Sequence, residues 1–213
     1  MKVLAVKLND KNSYRVTFSN GRTVVLSAEI VWDHGISEGA EFDLPQIRDI
    51  MRAAVFRRLY NTALNKLSYR DYSASEMLKK LSEDCKNPDL CEAAVQKLIS
   101  ENLINDERYA EKLAYKYVEV RKFGKRRAMR EMVSRGISRF TAEDALRQYD
   151  DVFEENIMQL LSEKYSRYLT DINDKRAIDK VKNSLIRSGY DFSQINCTIK
   201  DYFDNLNETL EEQ

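Results

Sequence analysis

Met132-Val133-Ser134-Arg135-Gly136, in the middle of the chain, has two counterparts. Leu81-Ser82-Glu83-Asp84-Cys85 lies 51 residues before it and Leu185-Ile186-Arg187-Ser188-Gly189 lies 53 residues after it. Downstream of each anchor the chains align without a gap, and apolar or small residues coincide at Cys91/Ala142/Ile195, Val95/Leu146/Ile199 and Leu98/Tyr149/Tyr202. Those positions follow an i, i+4, i+7 spacing, the stripe of one helix face. Upstream, Ala63 and Leu67 match Ala114 and Val118, whereas the third copy loses register in its first helix. Self-similarity at a period of this size is the signature of a helical array.

Each copy reads as three helices. In the second, Tyr109, Ala110, Leu113, Ala114 and Tyr117 stripe the first helix, and Phe123-Gly124 breaks it. Ala128, Met129, Met132 and Val133 stripe the second helix, which Gly136 ends as a C′ glycine. Thr141 opens the third, with Asp144 as a capping-box partner, and Ser73-Ala74-Ser75-Glu76 is the corresponding box in the first copy.

The first 26 residues alternate as strands do, and Asn20-Gly21 suggests a type I′ hairpin turn, where both central residues need positive φ. Ser27 caps a short helix through Trp32, and Asp43-Leu44-Pro45 starts a long one with proline in its first turn. Three short strands alone would be marginal, so this module must pack on something. The expected architecture is mainly α: three tandem three-helix repeats forming an elongated, curved array, preceded by a small β-hairpin-containing N-terminal module. The expected boundaries are 1–45 for the module, 46–104 and 105–151 for the first two repeats, and 152–213 for the third.

Composition agrees. The 213 residues hold only 2 Pro and 6 Gly, which argues against a turn-rich β fold, and 33% charged residues suit helices with solvated outer faces. The N-terminus lacks the apolar region of a signal peptide, and no apolar run is long enough to span a bilayer. Cys85, Cys91 and Cys197 are odd in number and lack metal-ligand spacing, which fits reduced thiols in a cytoplasmic protein.

An enzyme needs convergent reactive groups. The single histidine, His34, stands between Asp33 and Gly35 with no nucleophile or ligand nearby in sequence, and phosphate-loop, dinucleotide, hydrolase and zinc motifs are absent. A hydrolase using His34 is the weakest of the readings. No catalytic residue, cofactor, metal or small-molecule substrate is expected.

Charge is zero overall but unevenly spread. From Lys116 to Arg139 stand nine cations, Arg135 and Arg139 among them, against Glu119 and Glu131. The tail from Lys200 holds Asp201, Asp204, Glu208, Glu211 and Glu212 against one cation, either a solvated helix end or a mimic of nucleic-acid charge. The basic run Arg121-Lys122-Phe123-Gly124-Lys125-Arg126-Arg127-Ala128-Met129-Arg130 bridges one helix end, a glycine turn and the next helix start. With Met129 at the centre of the buried arc, Arg127, Arg130 and Ser134 point away from it and Arg126 lies on the flank. Cations at a helix N-terminus oppose the helix dipole, and an anion bound there would relieve the penalty. The candidate contact residues are Arg121, Lys122, Phe123, Lys125, Arg126, Arg127 and Arg130, facing DNA phosphates or an acidic protein surface. Phe123 is the aromatic kept as a contact. The competing reading is a charged, solvated face of a helical array.

These residues resemble a known family. Leu103-Ile104-Asn105-Asp106-Glu107-Arg108-Tyr109-Ala110, the basic turn, Arg130-Glu131-Met132 and Arg135-Gly136-Ile137 are similar, in order and spacing, to the central motif of the RecX family. Ser73-Ala74-Ser75-Glu76-Met77-Leu78-Lys79-Lys80-Leu81 is similar to its first-repeat signature. The resemblance covers residues 55–150 directly and 151–205 through the repeat, and residues 1–45 look like an extension some members carry. Gly124-Lys125 stands where Gly-Pro is common, and Met132 where leucine is usual. The resemblance implies a non-catalytic modulator of the RecA recombinase that lies in the groove of the recombinase filament on DNA. Such proteins affect filament assembly, strand exchange and coprotease activity in DNA repair and the SOS response. The alternative is a module that binds single- or double-stranded nucleic acid directly.

Overall fold

The computed structural model describes residues 1–211, with side chains through residue 206. Glu208, Glu211 and Glu212, three of the five tail carboxylates, therefore lie outside the described side chains. Strands β1 (Val3–Asp10), β2 (Ser13–Phe18) and β3 (Thr23–Ser27) form an antiparallel sheet in sequence order. Among the described residues, nine α-helices follow the short α1 (Ala28–Asp33) in three triplets. They are α2 (Leu44–Leu67), α3 (Ala74–Asp84) and α4 (Pro88–Ser100); α5 (Asp106–Tyr115), α6 (Lys125–Ser134) and α7 (Arg139–Arg147); and α8 (Val152–Leu160), α9 (Lys175–Arg187) and α10 (Phe192–Glu211). None of the described helices is long and apolar enough to cross a membrane.

The chain divides into two compact units. One comprises Met1–Asp71 and Met77–Ile104, the other Tyr72–Glu76 and Asn105 onward. In the first unit, alternation along the strands sends Val3, Val16, Phe18 and Leu26 into a core closed by Ile30, Val31 and Ile50. The sheet thus packs on α1 and the first turns of α2. Ser27 caps α1 through the Ile30 amide, and Asp43 with Gln46 forms a complete capping box on α2. The Asn20-Gly21 turn is not type I′. Only Gly21 has positive φ (78°), and the Phe18 carbonyl accepts from the Gly21 amide, so a type I turn followed by a left-handed glycine closes the hairpin.

In the second unit α5 packs on α7, and α8 on α10, so the first helix of each triplet lies against the third. The repeat anchors mark the deepest positions: Leu81, Met132 and Leu185 are each fully buried, as are Cys91, Ala142 and Ile195. Both α5 and α8 run directly into a single π-helical turn, Lys116–Val120 and Leu161–Tyr165. A π turn misaligns one carbonyl per turn. In the first case the buried Asn156 amide of α8 donates to the Val118 carbonyl (3.1 Å). The register loss in the third triplet comes from the connection to its second helix. It covers residues 166–174, against 121–124 in the second triplet.

Two further local expectations change. The N-cap of α7 is Ser138, whose hydroxyl accepts from the Thr141 amide, while Asp144 pairs with Arg147. Serine one turn earlier than Thr141 wins because it precedes the first helical residue, where a cap must stand. The buried arc of α6 is centred on Ala128 and Met132, with Met129 half-buried on its flank and Val133 exposed. Arg130 then stands at the outward pole, but Arg127 does not.

Candidate partner-binding site

The basic turn begins where the π turn ends. The Phe123 amide reaches back to the Tyr117 carbonyl (2.8 Å), a helix closure of Schellman type widened by the π turn. Such a closure needs one left-handed residue just past the helix end. That residue is Lys122, at φ 49°. Glycine adopts this region freely, whereas a side chain costs about 1–2 kcal/mol. The carbonyl of Lys122 accepts from the Tyr190 hydroxyl (2.8 Å), and burial pushes that phenol well above its ordinary pKa.

Tyr190 is one contact of a longer seam. The Gly124 amide donates to the Ser188 carbonyl (2.9 Å), and the Arg126 amide to the Gly189 carbonyl (3.1 Å). The residues just past the end of α9 therefore supply carbonyls to the amides that open α6, so the C-terminal end of one helix meets the N-terminal end of the other. The approach is close enough to exclude side chains on both partners. A Cβ on Gly124 would lie 2.2 Å from the Tyr190 nitrogen, and one on Gly189 would lie 2.4 Å from the Arg127 nitrogen. The same device recurs in the second unit around Gly136. There the fully buried Ser73 hydroxyl donates to the Arg135 carbonyl (2.7 Å) and accepts from the Glu76 amide (3.1 Å). Ser73 and Gly124 are 51 residues apart, so they hold the same place in the repeat.

This seam alters the anion reading of the helix start. The Gly189 carbonyl takes the Arg126 amide, so the first turn of α6 is not an open cradle of N–H groups. Its cations are also partly neutralised by carboxylates distant in sequence. Lys125 pairs with Asp150 (2.5 Å) and Arg126 with Asp191 (2.6 Å). Hydrogen bonds from the Ser193 hydroxyl and amide, aided by the Arg126 charge, hold the Asp191 carboxyl below the usual range. Lys122 lies 3.7 Å from Glu119, and Arg127 lies 3.9 Å from Glu131. The Phe123 ring stacks on Tyr117 and carries the Arg127 guanidinium 3.9 Å from its centroid, with Arg121 further out at 5.9 Å. Among the described residues, Arg121 and Arg130 are the two candidate cations with no carboxylate partner, and both are exposed.

The expected residues thus share one turn and its flanks. They fall into an exposed pair, Arg121 and Arg130; an ion-paired set, Lys122, Lys125, Arg126 and Arg127; and a half-buried aromatic, Phe123. Counting charge between residues 116 and 139 could not find Asp150, Asp191 or Tyr190, because all three come from later parts of the fold. The signal available for Tyr190 and Asp191 was the Gly136/Gly189 equivalence, which marks residues 188–191 as a repeat junction.

The chain matches the model for the second three-helix domain of RecX over residues 105–146, which contains the whole basic turn. It matches that for the first three-helix domain of RecX over residues 60–98. The regulatory protein RecX of Clostridioides difficile strain 630 is 28% identical over 173 residues, spanning 81% of each chain. That of Clostridium perfringens strain 13 is 26% identical, spanning 93% of this chain and 95% of the relative. A crystal structure of regulatory protein RecX superposes with a TM-score of 0.74 at 25% identity, covering 94% of this chain and 98% of that one. The crystal structure of RecX from Lactobacillus salivarius is 30% identical, covers 70% of this chain and 97% of that one, and gives a TM-score of 0.65. The chain belongs to the RecX family of regulatory proteins.

Proposed function

We propose that the protein binds the RecA recombinase filament on DNA in the cytoplasm and restrains its recombination and coprotease activities, acting by binding rather than catalysis. The observation that carries the reading is the match of this chain to two RecX three-helix domains, together with its similarity to relatives that are named regulatory proteins. The basic turn is the contact this reading favours. It is built on a backbone seam that fixes its position, and a preorganised surface loses little entropy on binding. Arg121 and Arg130 lead the contact because no carboxylate competes for them among the described residues. Lys122, Phe123, Lys125, Arg126 and Arg127 support it from the same turn.

The test is inhibition of the recombinase ATPase on single-stranded DNA. Arg121→Glu/Arg130→Glu should inhibit at least about tenfold less well, since two reversed contacts of about 1 kcal/mol each exceed one decade. Full inhibition by this variant, with unchanged helicity, would remove the basic turn from the mechanism.

A further inference from the structure

Lys125 and Arg126 line a cavity that the basic run did not foreshadow. Its volume is about 530 Å3, and Arg139, from the first turn of α7, enters it as a third cation. Asp150 and Asp191 enter as well, each already paired with one of the cations. Arg139 is exposed and has no carboxylate partner among the described residues. Half-buried Met129 contributes apolar wall, and Ser193 and Gln194 contribute polar groups.

Three cations less two carboxylates leave a formal charge of +1. A backbone phosphodiester carries one negative charge, whereas a terminal phosphate carries about −1.5 to −2 at neutral pH. The volume falls within the roughly 300–1,000 Å3 typical of small-ligand pockets and exceeds what a bare phosphate fills. The two ion pairs are exposed, and pairs of that kind are weak enough to share their cations with an incoming anion. We infer that this cavity holds one phosphodiester of a nucleic-acid strand with its attached sugar, gripped by Arg139 and flanked by Lys125 and Arg126. Asp150 and Asp191 tune the cavity toward a bridging diester. The inference rests on the proposed function, in that the strand is the DNA of the recombinase filament.

Anisotropy of a labelled single-stranded oligonucleotide, titrated with the full chain over a salt series, tests it. Arg139→Ala should weaken binding roughly fivefold, the size of one screened ion pair, and reduce the salt slope by about 0.7. Asp191→Asn can keep the hydrogen bonds from Ser193 while losing its charge, and should strengthen binding with a steeper slope. Unchanged binding in both variants overturns the inference, as does an absence of oligonucleotide binding by the unaltered protein. If Arg139→Ala weakens binding to a polyglutamate peptide but not to the oligonucleotide, the cavity serves an acidic protein surface and the inference falls. The two readings separate cleanly. Loss of recombinase inhibition by Arg121→Glu/Arg130→Glu, with oligonucleotide binding unchanged in both Arg139→Ala and Asp191→Asn, removes the cavity alone. The converse pattern leaves the cavity and removes the basic turn from inhibition.

Discussion

Gly124 and Gly189 face each other across the seam between α6 and the end of α9, and neither tolerates a side chain. The atoms that an added Cβ would meet include backbone, which cannot swing aside. Gly124→Ala and Gly189→Ala should each lower stability by about 3 kcal/mol or more, read as a shifted urea midpoint. Gly21→Ala meets nothing within 4 Å and should cost only the left-handed backbone penalty of about 1–2 kcal/mol. Lys122 invites the opposite experiment. Lys122→Gly removes the left-handed strain at the cost of some chain entropy, for a net gain of about 0.5–1 kcal/mol. The same change deletes a cation of the proposed contact, so stability should rise while recombinase inhibition weakens. A variant both less stable and fully inhibitory would show that the strain at Lys122 has been misassigned.

At the scale of elements, the repeat was legible because its deepest positions recur at fixed spacing. Met132 is fully buried at the anchor, so Met132→Ala should cost about 2–5 kcal/mol, whereas Val133→Ser, on an exposed position of the next residue, should stay within about 0.5 kcal/mol. The stripe drawn through Met129 was turned by less than one residue from the observed arc. Four apolar residues in a ten-residue helix do not fix its rotation when one of them, Val133, faces solvent. The π turns were not legible at all. The first takes a donor from another helix, and that donor, Asn156, reads in the sequence as an ordinary polar residue. Asn156→Leu strands the Val118 carbonyl in the core and should cost about 1–3 kcal/mol. Hydrogen exchange of residues 116–120 would register the loss as faster opening of that turn.

For the molecule as a whole, the sequence order of β module and three triplets was readable from periodicity, caps and glycine placement. The charge balance of the candidate site was not. Nine cations against two anions describes a stretch of chain, and folding brings in Asp150 and Asp191 from other elements to offset two of the cations. What survives is narrower than the run: Arg121 and Arg130 on the turn, with Arg139 beside Lys125 and Arg126 in the cavity. The central claim is that this face of the second repeat meets the recombinase filament. Co-sedimentation of the full chain with the cognate filament on single-stranded DNA tests it most directly. The unaltered protein should pellet with the filament, and the Arg121→Glu/Arg130→Glu variant should need at least about tenfold more filament to pellet equally. Equal pelleting of the two proteins would contradict the account.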